Sequence, residues 1–398
     1  MSGAPAAPRP RRAIGRNVLV LSLVSFLTDV SSEMIYPLLP LFLTGTLHAG
    51  ASAVGLIEGA AESTAALLKL GSGWWSDRVR RRKPLVVLGY AVSSLARPLV
   101  AAAQAASQVL AVRVADRVGK GLRTSPRDAL IADSVDPSIR GRAFGLHRAA
   151  DHAGAVVGPL VAFAILRWRP ETPLRSLFWL AAVPGVLAVI ALAWGVKEAA
   201  RAPPAARSAA GLSGGMGRRF WAYLAVLLVF TLGNASDAFL LLRASQLGIG
   251  ETLLPVLWAM LHVVKSVSST PGGMLSDRLG RKPLIVVGWI VYAGVYVLFG
   301  RASAPWHVWA LFAVYGLYFG LTEGVEKALV ADLASPERRG AAYGWYNLAL
   351  GVGALPASLV FGLVWDRFGS SAAFVYGAGL AFAAAVALLV VVPAPRHA

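Results

Sequence analysis

Gly71-Ser72-Gly73-Trp74-Trp75-Ser76-Asp77-Arg78-Val79-Arg80-Arg81-Arg82-Lys83-Pro84-Leu85 returns later in the chain as Gly272-Gly273-Met274-Leu275-Ser276-Asp277-Arg278-Leu279-Gly280-Arg281-Lys282-Pro283-Leu284. The two aspartates stand 200 positions apart in a chain of 398 residues. Each copy joins two long apolar stretches. The repeat continues outward: Ala129-Leu130-Ile131-Ala132-Asp133 matches Ala328-Leu329-Val330-Ala331-Asp332, and Arg140-Gly141-Arg142-Ala143-Phe144-Gly145 matches Arg339-Gly340-Ala341-Ala342-Tyr343-Gly344, both at an offset of 199. One unit has been duplicated, and function is expected between the copies.

The composition says what kind of unit it is. The chain is 57% hydrophobic and 15% charged, whereas soluble domains hold about 45–50% apolar and about 25% charged residues. Apolar stretches long enough to cross a bilayer recur along the whole length. The expected fold is an all-α polytopic membrane protein with twelve transmembrane helices in two pseudo-symmetric six-helix bundles. Residues 1–196 form the first half, the Ala-, Pro- and Ser-rich segment 197–217 a linker, and 218–398 the second half. The net charge of +18 resembles that of a nucleic-acid binder. Its Lys and Arg concentrate instead in the tails and in one alternating set of loops, which is the positive-inside pattern. That pattern places both termini, the linker and both repeated loops in the cytoplasm, with the chain in the inner (plasma) membrane. The bases Arg9, Arg11, Arg12 and Arg16 precede an apolar run, as in a signal peptide. The run soon meets Asp29 and Glu33, so a retained first helix is expected. The chain has no cysteine, no Walker-type phosphate loop, and no nucleophile, metal or cofactor motif. No enzyme activity, cofactor or nucleic-acid partner is expected.

Charges inside spanning helices are costly and mark cavities or partners. In span 1, Ser22, Ser25, Asp29, Ser32, Glu33 and Tyr36 fall on one face at helical spacing. Asp29 and Glu33 are one turn apart, and either can carry a proton or be fixed by a base. In span 4, Arg113, Asp116, Arg117, Lys120, Arg123, Arg127 and Asp128 share one arc, which suits an anionic group. Span 2 adds Glu58, Glu62 and Lys69, span 7 Asn234 and Asp237, span 8 Lys265, and span 10 Tyr318, Glu323, Glu326 and Lys327. The repeat superposes Arg127-Asp128 on Glu326-Lys327, which predicts ion pairs across the interface between halves. His147 and Asp151, one turn apart, are an alternative metal site with nearby acids. In the loops, Asp77 with Arg78 and Asp277 with Arg278 suit a latch that caps or bridges a neighbouring helix; the alternative is a purely topological role for these bases.

The layout resembles the major facilitator superfamily. Gly273 to Lys282 is similar to its loop signature G-x-L-x-D-R-x-G-R-K, and the first copy departs from it with Trp75 and Arg80. Arg113 to Gly121 resembles the span 4 signature R-x-x-Q-G-x-G-x-G, with Asp116 and Arg117 in place of glutamine and glycine. Gly154-Ala155-Val156-Val157-Gly158-Pro159 is similar to G-x-x-x-G-P of its antiporters. The resemblance implies a cavity lined by spans 1, 4, 7 and 10, alternating access by rocking lobes, and a role for Arg113 in proton transfer. With Asp29, Glu33 and Asp116, Arg113 forms the expected proton-coupling group. The expected function is secondary transport of a small solute: proton-coupled efflux, by antiport, of an organic compound with an anionic or metal-chelating group. The alternatives are export of a divalent transition metal and proton-coupled import of an organic anion. The expected partners are the solute, protons and the bilayer, with a monomer as the working unit.

Overall fold

The computed structural model describes residues 14–78, 81–135, 140–198, 216–334 and 339–392. It is all helical: α1 spans Arg16–Thr46, α2 Ala51–Arg78, α3 Lys83–Ala102, α4 Ala106–Asp133, α5 Arg140–Trp168, α6 Leu174–Gly195, α7 Arg218–Gln246, α8 Leu254–Leu279, α9 Arg281–Arg301, α10 Pro305–Asp332, α11 Arg339–Phe368 and α12 Ser370–Val391. Nine of these, among the described residues, are long and apolar enough to cross a membrane; α2, α4 and α8 are not in that set. These three are rich in charged and hydroxyl side chains.

The duplication is visible in the packing. Within the first half α1 packs on α5, α2 on α4, and α3 on α4 and α6; within the second, α7 packs on α11, α8 on α10, and α9 on α10 and α12. The two lobes meet along α2 with α11 and α5 with α8, again a symmetric pair. The repeated motifs share one contact. Arg82, at the start of α3, pairs with Asp133 at the end of α4, and Arg281 lies 3.5 Å from Asp332 in the other lobe. The basic loop therefore ties each lobe's second helix pair together. Gly280, between α8 and α9, sits at φ 90°, a conformation open to glycine. Its counterpart Arg80 lies outside the described residues, as do the linker core 199–215 and the side chains of Asp77, Arg78 and Asp277. Arg278 is described and exposed.

Two helices are irregular where the lobes face one another. α1 tightens to a 3₁₀ turn at Tyr36–Leu38 and widens to a π turn at Phe42–Thr46, around Pro37 and Pro40, which lack an N–H. α7 is interrupted after Gly233, with Asn234 at φ −100° and ψ 79°.

Candidate functional site

α4 supplies the bases, and its neighbours supply their partners. The Arg113 guanidinium forks onto Glu58 of α2, with Nε 3.0 Å from Oε1 and Nη2 2.7 Å from Oε2. Arg117 reaches Glu62 of the same helix at 3.1 Å. Asp116 accepts a 2.9 Å hydrogen bond from Arg97 Nε and lies 3.7 Å from Arg113 and 3.4 Å from Arg117. Arg97 also donates to the Thr28 carbonyl of α1 at 2.9 Å. Glu58, Arg97, Arg113, Asp116 and Arg117 are all buried. The planar fork of arginine matches a carboxylate with two parallel bonds, which offsets part of the desolvation cost. Arg123 turns toward α3, donating to Ser93 at 2.5 Å and stacking 4.4 Å over the Tyr90 ring. Arg127 binds Asp128 at 2.9 Å and Ser25 at 3.4 Å.

The structure corrects two expectations. Arg127-Asp128 and Glu326-Lys327 do not pair across the lobes: Arg127 is held within its own lobe, and Lys327 binds Glu323 at 3.2 Å on its own helix. The second concerns the charges of α4, whose first partners lie within the same lobe: Arg113 binds Glu58 and Asp116 binds Arg97, neither partner having been paired with them from sequence. Helical periodicity names the face a residue occupies; it does not name the side chain opposite.

Three charged groups of the first lobe's interior, Lys120, Lys69 and Asp29, make no ion pair within 4.0 Å among the described residues. The Asp29 carboxylate has no ion pair or hydrogen bond among them, and it lies within electrostatic reach of Lys120, Glu33, Asp151 and Arg97. It sits where α5 presses on α1: a Cβ added at Gly154 would stand 2.5 Å from the Phe26 carbonyl, and one at Gly158 2.7 Å from that of Val30. The G-x-x-x-G-P pattern thus has a packing role beside Asp29 and Glu33.

The second lobe is built differently. Asp237 accepts from the Tyr315 hydroxyl at 2.5 Å and lies 3.6 Å from Lys265, whose ammonium stands 3.5 Å above the Phe319 ring. Asn234 accepts from Tyr292 at 3.2 Å. Tyr318 is buried in an aromatic cluster with Phe230 and Tyr292. Glu326 is buried in the lobe interior, held by Trp289 and Tyr346. On α5, His147 and Asp151 come within 3.8 Å, but Arg148 lies 3.8 Å from the same carboxyl and no third His, Asp or Glu joins them among the described residues.

At the end of the bundle away from the termini the lobes are closed. Trp258 Nε1 of α8 donates to Glu33 of α1 at 2.7 Å, and Tyr36 and Ser236 hydroxyls meet at 3.4 Å. Asp366, late in α11, accepts the backbone N–H groups of Ala51 and Ser52 at 2.8 and 2.9 Å, capping α2 from the opposite lobe. Toward the terminal end Glu62, Glu323 and Lys327 keep 47%, 51% and 43% of their side chains exposed. Arg97, Trp258 and Asp366 were not among the residues singled out from sequence. A lone base beside a proline in the apolar third span was the available signal for Arg97; the other two have none, since an indole or a terminal aspartate is ordinary in a membrane helix.

Duplicated lobes of membrane-length helices that close over buried charge at one end, with half-exposed charges toward the other, have the plan of a membrane transporter. The chain belongs to the Major Facilitator Superfamily, which it matches over residues 21–264 and 238–398. It is 33% identical over 384 residues to an uncharacterized MFS-type transporter of Methanocaldococcus jannaschii, covering 95% of each chain. It is 27% identical over 287 residues to a probable 4-methylmuconolactone transporter of Cupriavidus pinatubonensis, covering 68% of this chain and 66% of that one. The fold superposes on a nucleoside transporter with TM-score 0.79 at 13% identity (94% of this chain, 100% of that one), and on a D-xylose-proton symporter with TM-score 0.78 at 17% identity (96% and 98%).

Proposed function

We propose that this secondary transporter moves a small organic anion coupled to protons across the inner membrane, with both termini cytoplasmic. The observation that carries the reading is Asp29, packed where Gly154 of α5 meets α1 and without an ion pair or hydrogen bond among the described residues, with the Lys120 ammonium within electrostatic reach. Arg113, Asp116, Arg117, Arg97 and Glu58 form a closed network that positions α4 against α2 and α3. Lys120 and Lys69 make no ion pair within 4.0 Å among the described residues and share Glu62 as their nearest electrostatic partner with Arg117, so the bases there outnumber the acid and suit an anionic group. Asp29, which makes no ion pair or hydrogen bond among them, suits proton carriage. An anion placed beside a carboxylate favours protonation of that carboxylate. Proton and anion then bind together, which supports movement in one direction rather than exchange. The probable 4-methylmuconolactone transporter is a relative in keeping with an organic acid or lactone cargo.

Efflux by antiport is the second reading. It is favoured by the G-x-x-x-G-P pattern and by a 31% identity to the multidrug resistance protein MdtH of Yersinia enterocolitica, over 29% of each chain. It requires a solute that competes with the proton for Asp29, such as a cation or a chelate. The two differ in sign. Purified protein is screened by thermal shift against organic carboxylates, divalent metals and cationic drugs, and the stabilising compound is added to proteoliposomes with a pH dye. Protons entering with a carboxylate support symport. Counterflow of protons, or stabilisation by cations alone, overturns it.

A further inference from the structure

We infer that Glu326 is a second proton-binding site, set in the interior of the second lobe and separate from Asp29. The inference deepens the proton-coupled reading and rests on it. Glu326 is 7% exposed. Its two oxygens are each engaged by one neutral donor: Trp289 Nε1 of α9 to Oε1 at 2.9 Å, and the Tyr346 hydroxyl of α11 to Oε2 at 2.9 Å. No base lies within ion-pair distance among the described residues. The buried carboxylates Glu58 and Asp116 in the other lobe each hold an arginine. The duplication sharpens the contrast, since Glu326 falls at the register of Arg127, 199 positions earlier.

The surroundings suit a group that exchanges a proton rather than a fixed ion pair. The charged groups that reach Glu326 lie on its own helix, Glu323 and Lys327, and they bind each other at 3.2 Å. From α7, Tyr223 is fully buried, its hydroxyl has no hydrogen-bond partner among the described residues, and it lies within electrostatic reach of both Glu326 and Tyr346. From α10 itself, the buried Tyr318 lies within electrostatic reach of Glu326. An orphaned buried hydroxyl is costly, and a proton arriving on Glu326 gives this cluster a further O–H to share through Tyr346. Glu323, with half its side chain exposed one turn earlier on the same helix, is the nearest carboxyl that solvent can reach and would relay the proton. No cluster of three His, Cys, Asp or Glu that could hold a metal occurs among the described residues, and the neutral donors Trp289 and Tyr346 suit a carboxyl that takes up a proton.

Infrared difference spectra of the reconstituted protein between acid and alkaline pH read carboxyl protonation directly, without a known substrate. The wild type is expected to show a carboxylic-acid C=O band that Glu326→Gln removes and Asp29→Asn leaves in place. Tyr346→Phe, which keeps the packing and loses the donor, is expected to move the titration midpoint of that band. Glu326→Gln is also expected to lower the protons moved per solute about twofold. A spectrum unchanged in Glu326→Gln overturns the inference. So does a Tyr346→Phe midpoint identical to wild type, the readout that applies if Glu326→Gln does not fold. Loss of proton flux in Asp29→Asn with an unchanged Glu326→Gln leaves the coupling reading standing and removes Glu326 from it. Unchanged flux in both variants removes the coupling reading as well.

Discussion

Glu58 and Arg113 show how little a charge in a membrane helix says about transport by itself. The pair is buried and bidentate, so removing one partner strands the other. Glu58→Gln is expected to cost about 3–5 kcal/mol, seen as a fall in melting temperature in detergent. Replacing both residues by methionine is expected to restore most of that stability. If Glu58→Gln melts like the wild type and only transport fails, the pair acts in coupling rather than in holding α2 to α4. Asp29 and Lys120 carry the opposite expectation. Asp29→Asn is expected to keep solute binding and lose solute-driven proton flux, while Lys120→Ala weakens binding of a carboxylate solute about tenfold or more and leaves the fold intact. Equal loss of binding in both would show one structural unit instead of two roles.

At the scale of elements, the far end of α2 is capped by the other lobe. Asp366 gives both carboxylate oxygens to the first N–H groups of α2, and Gly55 and Gly362 let the backbones touch, with a Cβ at Gly55 colliding with the Ser358 carbonyl. For the solute to reach the far side these contacts must break. Asp366→Ala is therefore expected to shift the molecule toward its other state. A single cysteine at Ser236, in the closed seam beside Tyr36, should then label several-fold faster with an impermeant thiol reagent. Equal labelling rates with and without Asp366→Ala would show that the cap contributes nothing to closure. These elements also mark how far sequence carries. The repeated basic loop, the A-L-x-A-D copies and the apolar spacing were enough for twelve helices in two matching sets. The Arg82–Asp133 and Arg281–Asp332 pairs were there to be read as well, because both partners repeat at one offset. The cap on α2 was not legible: Asp366 and Ala51 are far apart in the chain, and a backbone N–H leaves no mark on residue type. The same holds for the site. The polar stripes of span 1 and span 4 are where expected, yet which acid each arginine binds depended on Arg97 and on the rotation of α2, neither of which periodicity encodes.

At the scale of the whole molecule, the orientation is open to a direct test, and the native lack of cysteine keeps it clean. A cysteine near Arg81 or Arg281 is expected to resist impermeant reagents in intact cells, and one near Arg169 to react. The reverse pattern would turn the molecule over and exchange its open and closed sides. The two lobes share a plan but not a filling: the first is held by arginine–carboxylate bonds, the second by stacked rings such as Phe230 on Trp289, 4.3 Å apart. That division has an optical consequence. Among the described residues the buried indoles Trp258, Trp289 and Trp365 all belong to the second lobe, and Trp258 crosses the seam to hold Glu33. Trp258 is thus a built-in fluorescent gauge of closure: in a chain of twelve tryptophans, the emission that Trp258→Phe removes is expected to shift when the seam parts, so the working cycle can be followed without attaching a dye.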